Sequence, residues 1–120
     1  HDYDKVWSTI LNRKPKDEKS VPGVFVDWDN TPRRGIGGRV FVGGTPEKFQ
    51  KYMTIQIKRA KHEYKKDFMF LTAWNEWGEG CYLEPDEKFQ DGYLKAIKEA
   101  LIITNEFPQY PCFGGNKNEC

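Results

Sequence analysis

The 120-residue sequence lacks most of the features that mark a specialised class. It has no continuous apolar run of about 18 residues, so no membrane-spanning helix is expected. Charge of one sign is missing too: 19 Lys and Arg face 18 Asp and Glu, a net +1. A general nucleic-acid binder would carry a basic surplus, so nucleic acid is not an expected partner. No charged segment followed by an apolar one opens the chain, so no secretion signal is visible. The first residue is His1 and not Met, which suggests a segment of something longer. Asn-x-Ser/Thr, Walker and GxGxxG patterns are absent, as is any repeat strong enough to name. Cysteine is scarce. Cys81, Cys112 and Cys120 are an odd number for a disulfide framework, and their spacing matches no zinc pattern. Cys112 and Cys120 are spaced to close a small tail loop; free thiols in a reducing compartment are the simpler reading.

Aromatic residues are not scarce, at 15%, and the apolar pattern is regular. Tyr3, Val6, Trp7, Ile10 and Leu11 fall on one face of an amphipathic helix. A polar stretch follows, then "VPGVFVDWDN", which reads as a buried strand from about Gly23 to Trp28. "TPRRGIGGRVFVGG" reads as a long loop with five glycines, of a length often functional. A helix then starts cleanly, with Thr45 as N-cap, Pro46 in its first position and Glu47 against the dipole. Phe49, Tyr52, Met53, Ile57 and Ala60 form its core stripe, and His62 ends it. "DFMFLTAWN" is a second buried strand and "EWGEGCYLEPDEKF" the loop after it. In the last helix Tyr93, Leu94, Ile97, Ala100 and Leu101 face inward. Residues 105–120 form a tail.

Strands without alternation, each followed by a helix, imply an α/β fold of parallel βα units. Two strands cannot close a sheet, and an α/β barrel needs eight strands and about 250 residues. Residues 1–104 are therefore expected to be the last two βα units of a larger (β/α)8, TIM-like barrel. Alone they would leave open strand edges, and marginal folding or association is expected.

In such folds the loops at the carboxyl ends of the strands carry the site. Asn75, Glu76 and Glu79 fall at that end of the second strand, and Asp27, Asp29 and Asn30 at that end of the first. In a turn of helical geometry, which Gly78 and Gly80 make feasible, Glu76 and Glu79 would share one face. Paired carboxylates, one acting as proton donor and one as base, are what glycoside chemistry uses. Trp74 and Trp77 offer faces for sugar rings, although either is equally suited to a core. Asp29 and Asn30 either cap a turn or bond sugar hydroxyls. Arg33 reads as an anion or hydroxyl ligand or as a solvated residue, Arg34 as solvated. Glu84 and Asp86 flank Pro85 as turn or binding residues.

"WDNTPRR", the "TPEKF" helix start, "FMFLTAWNEWGEGCYLEPD" and "GYLKAIKEAL" together resemble the WbsX family of bacterial polysaccharide-biosynthesis proteins, a family of glycosyltransferases by description. That family is similar to glycoside hydrolase family 99, the endo-α-mannosidases, which are (β/α)8 barrels. The resemblance runs from about Tyr3 to Leu101, and the run around Trp74 to Pro85 is its specific part. It implies the C-terminal portion of a protein several hundred residues long, and a cytoplasmic place in a cell-envelope or lipopolysaccharide pathway. It implies an oligosaccharide or polysaccharide substrate, α-linked and mannose-like, and no metal or nucleotide cofactor for the hydrolase reading. Glu76 would deprotonate the sugar 2-hydroxyl and Glu79 would act as general acid, then base. Trp74 and Asn75 would line the pocket, and Glu84 would hold the sugar or the loop. Two alternatives stand beside it. One is a glycosyltransferase, for which "DWD" at Asp27–Asp29 is the sole metal and diphosphate candidate. The other is a non-catalytic remnant that binds sugar through Trp74 and Trp77.

Overall fold

A computed structural model describes residues 1–109. The tail cysteines Cys112 and Cys120 lie outside the described residues, and so does the question of their pairing. The architecture is mixed α/β. Helix α1 (Tyr3–Asn12) leads to strand β1 (Gly23–Phe25), the short helix α2 (Thr31–Arg34) and the long helix α3 (Pro46–His62). Strand β2 (Phe70–Thr72) follows, then strands β3 (Asn75–Glu76) and β4 (Cys81–Tyr82), and helix α4 (Gly92–Ile103).

β1 and β2 pair in parallel, Gly23 with Phe70, Val24 with Leu71 and Phe25 with Thr72. The amide of Val26 extends this ladder by donating to the Thr72 carbonyl at 3.2 Å. Parallel pairing needs a long return path, and α3 supplies it. Its start is as the sequence predicts: the Thr45 hydroxyl accepts from the Lys48 amide at 3.3 Å, and Pro46 opens the first turn. Phe49, Tyr52, Met53, Ile57 and Ala60 are all buried, so the helical stripe is core.

An aromatic stack joins α1 to both the strand and the helix. The fully buried Trp7 ring lies between Phe25, at 5.2 Å between ring centres, and Tyr52, at 4.9 Å, nearly parallel to each. Stacked pairs of this kind contribute about 0.5–1.5 kcal/mol beyond their burial. At the stack's edge, Asp4 accepts from the Tyr52 hydroxyl and from Lys48, each at 2.5 Å. Burial, and then the Asp4 carboxylate, push the Tyr52 phenol up to about 12.

Beneath the stack lies a buried polar network. Gln56 donates to the Gly23 carbonyl at 2.8 Å and accepts from Arg59 at 2.7 Å. Arg59 also donates to the carbonyls of Ile10 and Arg13 at the end of α1, and to Glu63 at 3.2 Å. One guanidinium thus reaches two carbonyls at the end of α1, that of Ile10 shared with the Arg13 amide.

The structure departs from the sequence reading in three places. Phe68 and Phe70 are 52% and 64% exposed, while Met69 and Leu71 pack against the core. β2 is therefore covered on one face only among the described residues, although its unbroken apolar run predicts burial on both. The glycine-rich stretch is not all loop: it holds α2 and a 3-10 turn at Gly35–Gly37. The loop after β2 contains a small antiparallel hairpin, β3 with β4, closed by a 3-10 turn at Trp77–Glu79.

Replacing Arg59 with Met takes a donor from the Gln56 side chain and from the Arg13 carbonyl, while the Ile10 carbonyl keeps the Arg13 amide. In the full-length protein the expected cost is about 2–3 kcal/mol, read from urea midpoints. Lys14→Ala, at an exposed residue 3.8 Å from the same Glu63, is expected to change stability by less than about 0.5 kcal/mol. Equal effects would show that the network adds no stability.

Candidate active site

The parallel pair sends both strand-end loops out at one edge. The loop after β1 folds back on itself: Asp29 bridges Val40, and the Phe41 amide donates to the Trp28 carbonyl at 2.8 Å. Asn30 is buried in this return. Its side-chain oxygen accepts from the Arg39 amide at 2.6 Å, so its acceptor serves the loop. Asp29 does local work as well. One carboxylate oxygen accepts from the Thr31 amide at 2.9 Å and the Thr31 hydroxyl at 2.6 Å. Those bonds hold its carboxyl below the usual carboxylate range. This Asx turn starts α2, where Pro32 suits the first turn.

The two loops are tied together at the backbone. The Asp29 amide donates to the Glu79 carbonyl at 2.8 Å. Gly80 follows Glu79 in a left-handed conformation, φ +60°. A Cβ there would lie 3.3 Å from the Asp29 Cβ and 3.4 Å from its amide nitrogen. Glycine thus meets both the backbone angle and the close approach. The side chains repeat the tie: Arg33 on α2 donates to one oxygen of Glu79 at 3.1 Å. Glu79 is mostly sheltered and Arg33 mostly exposed. Arg34, like Arg33 in the last turn of α2, is exposed.

Glu76 immediately precedes the 3-10 turn and Glu79 ends it. Glu76 is exposed, and a Cβ at Gly78 would lie 3.2 Å from its carboxylate. Asn75 is exposed and pairs with Tyr82 across the hairpin. Trp74 is 53% exposed, and its carbonyl accepts the amides of Leu83 at 3.0 Å and Glu84 at 3.1 Å. Trp77 is 49% exposed. Its ring stacks on Tyr82 at 3.6 Å, and its indole N–H donates to Glu84 at 2.6 Å. Both tryptophans are therefore surface residues of the loop among the described residues, and Glu84 holds one of them.

One residue here escapes the sequence reading. Tyr82 supports Trp77 and donates to Asp86 at 2.9 Å, while Asp86 also accepts from the Phe89 amide at 2.6 Å. The Tyr-to-Asp spacing of four in "YLEPD" carried that signal. Asp27 is placed by the sequence at the strand end, but its setting shows only in the fold. It sits half-buried at the end of β1, accepting from the Trp28 amide at 2.8 Å. Burial raises its carboxyl, opposed by that bond and by Lys88. Cys81 is buried and donates to the Thr72 carbonyl at 3.1 Å; burial pushes its thiol up. It is not a reactive thiolate in this setting. Among the described residues no three His, Cys, Asp or Glu side chains converge as a metal site would require. No helix of the described residues is long and apolar enough to cross a membrane.

Two glutamates, one anchored by a guanidinium, and two exposed indoles thus share one loop at the carboxyl edge of the parallel strands of this α/β chain. The chain belongs to the family described as glycosyltransferase WbsX, whose profile matches residues 1–97. It is 33% identical over 102 residues to the protein called uncharacterized protein WxcX in two strains of Xanthomonas campestris pv. campestris, B100 and ATCC 33913. The match covers 83% of this chain and 15% of each relative. The chain thus matches only about a seventh of the length of these curated relatives. No solved structure matches.

Asp27 gives a pH test. Its folded-state carboxyl lies above the unfolded value, so the stability it lends is full at low pH and is lost as pH rises through the raised value. Asp27→Asn removes that titration and keeps an acceptor for Trp28. The variant is expected to gain stability relative to the parent between about pH 4 and about pH 7, by urea unfolding at each. A difference flat with pH would remove the buried-carboxylate account.

Proposed function

We propose that this chain is the catalytic C-terminal part of a carbohydrate-active enzyme whose glutamate pair, Glu76 and Glu79, acts on α-linked, mannose-like glycans. The observation that carries the reading is the hairpin loop, in which Glu76 precedes one tight turn and Glu79 ends it, with Arg33 on Glu79. In this reading Glu76 takes the proton of the sugar 2-hydroxyl, and the freed oxygen attacks the anomeric carbon. Glu79 meanwhile gives its proton to the departing glycosidic oxygen. A three-membered ring forms as the glycosidic bond breaks. Water then opens the ring at the anomeric carbon, with Glu79 as base, and the proton on Glu76 returns to the sugar oxygen. Two inversions retain configuration without a carboxylate nucleophile, unlike the usual retaining pair. The similarity of the family to endo-α-mannosidases supports this mechanism. Arg33 orients Glu79 and leaves its other oxygen toward the ligand. Trp74 and Asn75 line the site, while Asp29 and Asn30 shape the loop that carries Arg33.

The same reading makes residues 1–104 two βα units of a (β/α)8 barrel. The parallel β1–β2 pair and the open Phe68–Phe70 face of β2 support it. The earlier strands would then belong to the rest of a longer protein.

The family's description favours a second reading, a glycosyltransferase in surface-polysaccharide assembly. There Asp27 and Asp29 would serve a nucleotide-sugar and a divalent ion, although Asp29 already bonds Thr31 through one oxygen.

In the full-length protein, Glu76→Gln and Glu79→Gln are each expected to lower kcat on aryl α-mannosides at least about 100-fold. Sugar binding should persist in both. No turnover by the parent, with nucleotide-sugar binding that needs a divalent ion and is lost in Asp29→Ala, would replace the hydrolase reading with the transferase. Full activity in both glutamine variants would end the paired-glutamate mechanism.

A further inference from the structure

The Trp77 indole is fixed in two directions. One ring face is covered by Tyr82 at 3.6 Å with 15° between the planes. Its edge is pinned by the N–H bond to Glu84 at 2.6 Å. Tyr82 is itself anchored, since its hydroxyl donates to Asp86, which accepts the Phe89 amide just before α4. The chain of support thus runs from the start of α4 to the tip of the hairpin. Yet Trp77 keeps 49% of its surface exposed. With one face covered, that exposure belongs to the opposite face and the free edge.

A large indole held rigid with one face bare is organised for contact, because its rotamer entropy is already spent in the free state. Its neighbours decide the chemistry of the contact. Glu76 precedes it in sequence and Glu84 accepts its N–H, so carboxylates adjoin the ring. A pyranose matches both parts. Its C–H face stacks on the indole while its equatorial hydroxyls reach the carboxylates.

We propose that the uncovered face of Trp77 is a stacking subsite for a pyranose ring, and that Tyr82 and Glu84 are positioning residues that hold it. This deepens the carbohydrate reading above and rests on it. It assigns Glu84 to the indole and gives Tyr82 and Asp86 a place in the site. The subsite would grip a sugar beside the bond that Glu76 and Glu79 act on.

The test uses the full-length protein and three probes: methyl α-D-mannopyranoside, methyl α-D-glucopyranoside and methyl α-D-galactopyranoside. Binding is read by calorimetric titration and saturation-transfer NMR. The parent is expected to bind at least one probe, with saturation strongest on C–H protons of one ring face. Trp77→Ala should weaken that binding at least about tenfold, and Trp77→Phe, with a smaller ring, by less. Tyr82→Ala should weaken it about threefold to tenfold while Tyr82→Phe, which keeps the stack, binds like the parent. A purely structural role for Tyr82 would lower the thermal midpoint and leave affinity in the folded protein unchanged. Binding by Trp77→Ala and Trp77→Phe equal to the parent, or no binding of any probe by the parent, overturns the proposal. The glutamine variants keep the two ideas separate. If they retain both turnover and probe binding while Trp77→Ala loses binding, the glutamate mechanism fails and the subsite stands. If they lose turnover while Trp77→Ala binds normally, the subsite fails and the mechanism stands.

Discussion

The parallel register of Gly23–Phe25 against Phe70–Thr72 is the constraint on which the rest depends. Two parallel strands cannot be joined by a short turn, so the chain must cross back through a long element. That element is α3, and its length is spent on both jobs at once. Its apolar stripe covers the strands, and its Gln56 reaches the Gly23 carbonyl. Parallel direction also brings both carboxyl ends to one edge. The meeting of Asp29 with Glu79 follows from that, although the two lie far apart in sequence. A one-residue slip in the pair would turn Val24 and Val26, both buried, toward the uncovered face.

The buried polar network sets the position of α1 in the same way. A buried guanidinium without partners would be costly, whereas Arg59 has partners on α1, on α3 and through Gln56 on β1. These bonds are directional, and the stack of Trp7 between Phe25 and Tyr52 is much less so. Packing therefore supplies most of the driving force, and the network selects one arrangement of three elements.

The helices were legible because each carries its own signal. The period of Tyr3, Val6, Trp7, Ile10 and Leu11, the Thr45–Pro46 start and the run from Tyr93 to Leu101 are local patterns, and tertiary contacts agree with them. The parallel strand pair and the shared edge of the two loops were legible for the same reason, from apolar runs followed by helices. What stayed hidden depends on contacts distant in sequence or on short elements. The one-turn helix at Thr31–Arg34 owes its start to an Asx turn that five nearby glycines obscure. Asn30 reads as a candidate ligand, but only the fold shows Arg39 closing on it. The open face of β2 is invisible to composition, since Phe68 and Phe70 look the same whether or not anything covers them. Tyr82 looks like strand filler until the stack with Trp77 is seen.

The loop that carries Glu76 and Glu79 combines two properties that usually oppose each other. Surface loops are mobile because their backbone bonds go to water. Here the backbone bonds go to protein: Asp29 to Glu79, Leu83 and Glu84 to Trp74, and the two residue pairs of the hairpin. The exposure is left to side chains. Glu76, Trp74 and Trp77 face outward from a backbone tied at several points, and Arg33 reaches across from the other loop to Glu79. Such an arrangement fixes the backbone frame and leaves the side chains free to make contacts. It also explains the two strict demands of the hairpin. Gly80 must let the loops approach, and Glu84 must stay where the indole N–H can reach it.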